Sequence, residues 1–167
     1  METYEHSYYT SEEANVKDPY VDWYMTKQVD TAMIHAAVAA ASAAREKAYA
    51  PYSSFFVGAA LVDADGNIHV GCNVENASYG LTNCAERAAA AAATVAGRRD
   101  IVLCVVVTDT EEPVAPCGAC RQVLSECNPD MPIVCATLSG IQKMHNLAAL
   151  LPQAFGPESL RKLSENS

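Results

Sequence analysis

Apolar positions along the chain fall into two patterns, a three-to-four residue helical spacing and continuous runs of strand length. From Gln28 to Ala48, Val29, Met33 and the pair Ala36-Ala37 mark one face of a helix. Pro51 ends it, because a proline pushes the residue before it, here Ala50, out of the helical region. Phe56 to Asp63 reads as a strand, Asp63-Ala64-Asp65-Gly66 as a tight turn, and Asn67 to Cys72 as the antiparallel return strand. Asn73 to Asn83 is an irregular connection of the kind that often carries binding groups. Helix formers resume over Ala85 to Ala96, with Gly97 placed to terminate them. Ile101 to Thr108 is unbroken apolar sequence, as in a strand buried on both faces. Gly118 to Cys127 predicts a short helix and Pro132 to Thr137 another strand. A last strand is expected near Lys143 to Ala148, and short helices at Leu147 to Leu151 and Glu158 to Leu163.

The order α-β-β-α-β-α-β predicts an α/β protein with helices packed on a mixed sheet. No internal repeat interrupts it, so residues 28–167 read as one domain. Residues 1–27 are rich in Tyr, Glu, Ser and Asp without lasting periodicity, which predicts a flexible N-terminal extension. Its tyrosines and Trp23 suit an arm that clasps a neighbouring copy.

Composition narrows the function. The 167 residues are 50% hydrophobic and 19% charged, so a globular domain has little surface to spare. The net charge is −9, the acidic surplus is concentrated in the first thirty residues, and adjacent basic residues occur only as the pairs Arg98-Arg99 and Arg161-Lys162. Nucleic acid would find no basic track, which argues against a nucleic-acid partner. Met1 to His6 has neither a basic start nor an apolar stretch, and no run approaches a membrane span. The expectation is a soluble cytoplasmic protein with reduced thiols and no membrane partner. Of its seven cysteines, Cys72, Cys104 and Cys135 sit in strand-like contexts as small core residues, and Cys127 ends a predicted helix. The alanine runs Ala36 to Ala44 and Ala88 to Ala93 allow close approach, at an interface or internally.

The remaining cysteines carry the chemistry. Cys84-Ala85-Glu86-Arg87 and Pro116-Cys117-Gly118-Ala119-Cys120 offer three thiolates and a carboxylate. Three such ligands hold Zn2+ and leave a fourth position open, and a carboxylate beside it can carry protons. Both segments fall at predicted helix starts, where backbone N–H groups favour thiolates. The strands before the two helices are expected side by side, with the metal outside their C-terminal ends. Three thiolates on Zn2+ leave one negative charge, and Arg87 hydrogen-bonded to them would withdraw part of it. On the residues alone, two other readings stay open. One is a closed structural zinc site completed by Cys72, Cys104, Cys127 or Cys135. The other is a redox dithiol at Cys117 and Cys120, which leaves Cys84-Ala85-Glu86 unexplained.

The cysteines and Glu86 form a cysteine-only version of the zinc deaminase signature. Longer stretches extend the match: Tyr49-Ala50-Pro51-Tyr52-Ser53-Ser54-Phe55-Phe56-Val57-Gly58-Ala59-Ala60-Leu61, Gly71-Cys72-Asn73-Val74-Glu75-Asn76-Ala77-Ser78-Tyr79-Gly80, Pro116 to Leu124, and Leu150-Leu151-Pro152-Gln153-Ala154-Phe155. Over about residues 28 to 163 the chain resembles the small, homotetrameric cytidine deaminases. It departs at Ala88, where threonine is common, and in its N-terminal tail.

The resemblance implies a three-layer α/β/α fold with a five-stranded mixed sheet. It implies hydrolysis of free cytidine and 2′-deoxycytidine to uridine and 2′-deoxyuridine with release of ammonia, as in pyrimidine salvage. Glu86 matches the general acid/base that carries a proton from water to N3 and then to the departing amine. Asn73 and Glu75 match the pair that binds the ribose 3′-hydroxyl, and Phe55 the aromatic beside the pyrimidine. Phe155 matches a residue that reaches into a neighbouring subunit's site, and Tyr79 contributes across the same interface. The backbone carbonyl of Ala77 or of Pro116 is placed to accept from the exocyclic amine. Glu75 would repel a phosphate, which favours free nucleosides. Three other functions are weighed: deamination of a different aminopyrimidine nucleoside, editing of RNA or DNA, and a non-enzymatic zinc protein.

Overall fold

Asp30 opens the first helix. Its carboxylate accepts from the Met33 amide at 2.7 Å, satisfying one of the unpaired N–H groups of the first turn. In the computed structural model, which describes residues 29–160, α1 runs Thr31–Arg45. It is shorter than the predicted span because Asp30 caps it at one end. At the other, Lys47 and Ala48 bond back three residues, to Ala44 and Arg45. The expected extension over residues 1–27 lies outside the described residues.

The remaining elements are β1 (Val57–Asp63), β2 (Ile68–Cys72), α2 (Ala85–Val95), β3 (Ile101–Thr108), α3 (Gly118–Ser125), β4 (Pro132–Thr137), β5 (Gln142–Asn146) and α4 (Leu147–Leu150). Single 3-10 turns occur at Tyr79–Leu81 and Pro157–Leu160. The second stands where part of a terminal helix is expected from the sequence. Gly97 follows α2 with φ of +77°, the left-handed conformation expected of a terminating glycine.

The strands form one five-stranded mixed sheet in the order β2-β1-β3-β4-β5. Among the strands of the described residues, only the β3–β4 pair is parallel. One expectation needs correction: β2 and β3, the strands that precede α2 and α3, are not neighbours. The β1–β2 hairpin places β2 at the sheet edge, and the other side of β1 pairs with β3. Because β1 is antiparallel to both, β2 and β3 point the same way and end at the same edge of the sheet.

Alternation along β1 builds the two faces. Ala60 and Val62 join Leu103, Val105, Val107 and Val134 beneath α1. Ala59 and Leu61 join Cys104, Val106, Ile133 and Cys135 beneath α2, with Ala89, Ala93 and Leu124 packed on them. This is the three-layer α/β/α arrangement. Burying each large aliphatic side chain contributes about 1.5–3 kcal/mol. The alanines of α1 and α2 contribute less each, so these helices gain by lying close to the sheet. Gly58 and Gly71 permit that. A Cβ on Gly58 would collide with the Ala41 carbonyl oxygen, and one on Gly71 with the Ala85 oxygen and the Ala89 nitrogen. Among the described residues, no helix is long and apolar enough to cross a membrane.

Candidate active site

Cys84 and Cys117 are the N-cap residues of α2 and α3, both extended, with ψ of 155° and 164°. Neither spends its side chain on capping its own helix. Cys120 follows in the first turn of α3. The sulfur atoms of Cys84 and Cys117 are 4.0 Å apart and those of Cys117 and Cys120 3.5 Å, and all three lie within 4.8 Å of one another. A tetrahedral zinc with sulfur bonds of about 2.3 Å separates its ligands by about 3.8 Å, so the donor set fits that ion. Among the described residues, no further His, Cys, Asp or Glu joins the cluster. Cys104 and Cys135 lie in the core under α2, and Cys72 and Cys127 are half-buried elsewhere. The arrangement is an open three-ligand site, not one closed by a fourth thiolate.

The electrostatics show how strongly these thiols favour a positive partner. A hydrogen bond from the Cys120 thiol brings Cys84 down to about 5, against the opposing effect of burial, with further help from Arg87 and Cys117. Cys120 moves upward, because it keeps the proton that it shares with Cys84 and because it is buried. Thiolate ligands must give up their protons to bind a metal, and the lowered Cys84 thiol gives its proton up most readily. The Arg87 Nη2 donates to the Thr82 carbonyl at 2.8 Å and reaches the Cys84 sulfur at 3.7 Å. Its guanidinium is held more firmly protonated, first by the bond to Cys84. Glu86 is only 5% exposed. Burial raises its carboxyl above the usual range, and the negative charge of Cys84 adds to this.

A second group of side chains surrounds the turn that precedes β1. Asn73 uses both ends of its amide here. Its Oδ1 accepts from the Val57 amide at 2.8 Å and its Nδ2 donates to the Phe55 carbonyl at 2.7 Å. The Glu75 Oε2 accepts from the amides of Tyr52 and Ser53 at 2.8 and 3.2 Å, and its Oε1 from the Ser53 hydroxyl. This clamp holds Ser54 at φ of +55°, a conformation that costs a non-glycine residue energy. Phe55 follows and stands 41% exposed. Paired backbone bonds between Val74 and Asn83 tie this group to the residue before Cys84.

The other expected site residues are placed more loosely. Ala77 is exposed in the connection between β2 and α2. Tyr79, 74% exposed, sets its ring 5.8 Å from that of Tyr52. Phe155, 60% exposed, lies on the C-terminal segment, where its carbonyl accepts from Gln122 Nε2 at 2.7 Å. Pro116 is buried, and its carbonyl accepts from Arg121 Nε at 2.7 Å. The structure therefore brings together the three cysteines, Glu86 and Arg87, and separately gathers Phe55, Asn73 and Glu75 about one turn. Sequence reasoning assigns no role to Ser53, Arg121 or Gln122. Arg121 and Gln122 bond backbone groups distant in sequence, and Ser53 bonds a side chain 22 residues away. Their presence in the motif stretches is the only available signal.

The α/β/α sheet thus carries, at the starts of two helices, an open centre of three cysteines suited to zinc. Residues 29–146 match the family model described as "Cytidine and deoxycytidylate deaminase zinc-binding region", and the chain belongs to that family. A cytidine deaminase of Sporosarcina psychrophila is 50% identical over 129 residues, 77% of this chain and 95% of the relative. The cytidine deaminase of Mycobacterium tuberculosis is 40% identical over 147 residues, 85% of this chain and 96% of the relative. Among solved structures, the cytidine deaminase from Burkholderia pseudomallei is 54% identical, with a TM-score of 0.70, covering 72% of this chain and 98% of that one.

Proposed function

We propose that this enzyme hydrolyses free cytidine and 2′-deoxycytidine to uridine and 2′-deoxyuridine, releasing ammonia, in pyrimidine salvage. The observation that carries the reading is a buried Glu86, its carboxyl raised above the usual range by burial, beside a three-thiolate centre. The names of the relatives support cytidine as the nucleoside.

Held by Cys84, Cys117 and Cys120, Zn2+ would supply the Lewis acidity that makes water a nucleophile at neutral pH. Glu86 takes the water's proton and delivers it to N3 of the pyrimidine, which must be protonated as attack at C4 removes the ring's aromaticity. Glu86 then takes the second proton from the new C4 hydroxyl and passes it to the amine, so that the C4 carbonyl forms as the C4–N4 bond breaks and ammonia leaves. Arg87 draws negative charge from Cys84 and so offsets the surplus of three thiolates. Phe55 flanks the pyrimidine. Asn73 and Glu75 take the ribose 3′-hydroxyl while their remaining bonds hold the Tyr52–Val57 turn. The Ala77 or Pro116 carbonyl accepts from the exocyclic amine.

Tyr79 and Phe155 complete the site across an interface in a homotetramer. Their exposure in the single chain supports this, since large aromatic side chains so placed are suited to burial by a neighbour. The free cysteines support a reducing, cytoplasmic setting. The net charge of −9 supports small-molecule substrates over nucleic acid.

Steady-state comparison of cytidine, 2′-deoxycytidine and their 5′-monophosphates tests the substrate class. Both nucleosides should be turned over, with kcat/KM for the monophosphates lower by about 100-fold or more, because Glu75 faces the sugar. Equal use of 2′-deoxycytidine and its monophosphate would contradict the reading.

A further inference from the structure

Arg121 lies one turn after Cys117 in α3, and its amide bonds to the Cys117 carbonyl at 3.0 Å. Its guanidinium forks between two backbone carbonyls from distant parts of the chain. Nε donates to Pro116 at 2.7 Å and Nη1 to Leu150 at 2.7 Å. The next side chain, Gln122, donates to the Phe155 carbonyl at 2.7 Å. The helix that carries Cys117 and Cys120 is thereby fastened to the segment that carries Phe155.

Packing holds the start of that segment, where Leu147 and Leu150 meet the core, more than its end. Leu147 is fully buried, and its amide bonds to the Met131 carbonyl at 2.9 Å. Beyond it lies a half-open surface cleft of about 290 Å³, lined by Ser125, Leu147, Leu151, Gln153 and Ala154. Pro152, Gln153 and Phe155 are exposed, so the hydrogen bonds to the Leu150 and Phe155 carbonyls from Arg121 and Gln122 are what fasten this stretch to α3.

We propose that Arg121 is a positioning residue that holds the metal-binding turn and the Phe155 segment in fixed register, by bridging the Pro116 and Leu150 carbonyls. Its kinetic consequence rests on the deaminase reading above. The bridge runs through backbone carbonyls and not through the thiolates or Glu86. It therefore governs nucleoside binding and leaves proton transfer largely intact. A lysine keeps the charge but lacks the planar fork that serves two acceptors at once.

The test compares full-length wild type with Arg121→Gln, Arg121→Lys and Gln122→Leu. Readouts are zinc per chain, kcat and KM for cytidine, and amide hydrogen exchange over residues 148–156. Arg121→Gln should keep wild-type zinc content, raise KM by about tenfold with kcat within about threefold, and speed exchange in that segment. Arg121→Lys should fall between it and wild type, and Gln122→Leu should shift KM and exchange in the same direction by less. Unchanged KM and exchange would overturn the proposal. So would a kcat loss that tracks zinc loss, since Arg121 would then only support the ligand turn. If Arg121→Gln does not fold, the other two variants decide by the same criteria. If the wild type does not act on cytidine, the deaminase reading fails on its own, and unchanged exchange over 148–156 would still sink the bridge.

Discussion

Asp63 shows at the residue scale how a buried charge can stabilise this fold. It is fully buried at the end of β1. Its Oδ1 accepts from the amides of Asp65 and Asn67 at 3.0 and 2.9 Å, and its Oδ2 lies 3.0 Å from His69 Nε2 and 3.0 Å from Arg98 Nε. Burial opposes ionisation, but the hydrogen bonds from His69 and Asn67, with the charge of Arg98, prevail and hold the carboxyl far below its usual range. A carboxyl whose pKa is lower in the folded state stabilises fully above its unfolded pKa of about 3.9 and loses that contribution as pH falls further. Asp63→Ala should therefore cost about 3 kcal/mol at pH 7, where it leaves buried donors unpaired. The gap to wild type should narrow between about pH 4 and pH 2. Urea unfolding across that range checks it, and a gap independent of pH would contradict the argument. The turn lies at the sheet edge opposite the cysteine cluster, so zinc content should not change.

At the scale of elements, two glycines separate the support of the site from the support of the fold. A Cβ on Gly71 would meet the backbone of α2, and one on Gly58 the backbone of α1. Backbone cannot rotate aside, so either helix must shift, at a cost of about 1–3 kcal/mol or more. Only α2 carries Glu86 and Arg87 and begins at Cys84. Gly71→Ala should therefore lower both the melting temperature and zinc affinity measured by chelator competition. Gly58→Ala should lower the melting temperature with less effect on zinc. Equal zinc loss in both, or none in either, would contradict this division. The hairpin, the buried β3 and the two helix starts are legible in the sequence because each is a local pattern. The separation of β2 from β3 is not, since strand order depends on which edge of β1 takes β3. The metal ligands are legible from Cys84 and the Cys117–Cys120 spacing. The roles proposed for Asn73 and Glu75 come only from resemblance, and the clamp they make on Tyr52 to Val57 leaves no local trace. The Arg121 bridge is hidden for the same reason, because its Leu150 acceptor lies 29 residues away.

Across the whole molecule, the sheet works as a frame that brings two helix starts to one edge. The three thiolates meet there, Glu86 is buried beside them, and the polar turn at Phe55 is tied on through Val74 and Asn83. Tyr79 and Phe155 project from the single chain, as the proposed tetramer with shared sites requires. The central claim is that Glu86 moves protons at a zinc centre it does not help to build. Zinc stoichiometry and cytidine turnover, measured together on wild type and Glu86→Gln, test it most directly. Both proteins should hold about one zinc per chain, and turnover should be lower by about 100-fold or more in the variant. A variant that keeps its zinc and turns over cytidine at nearly the wild-type rate would contradict it.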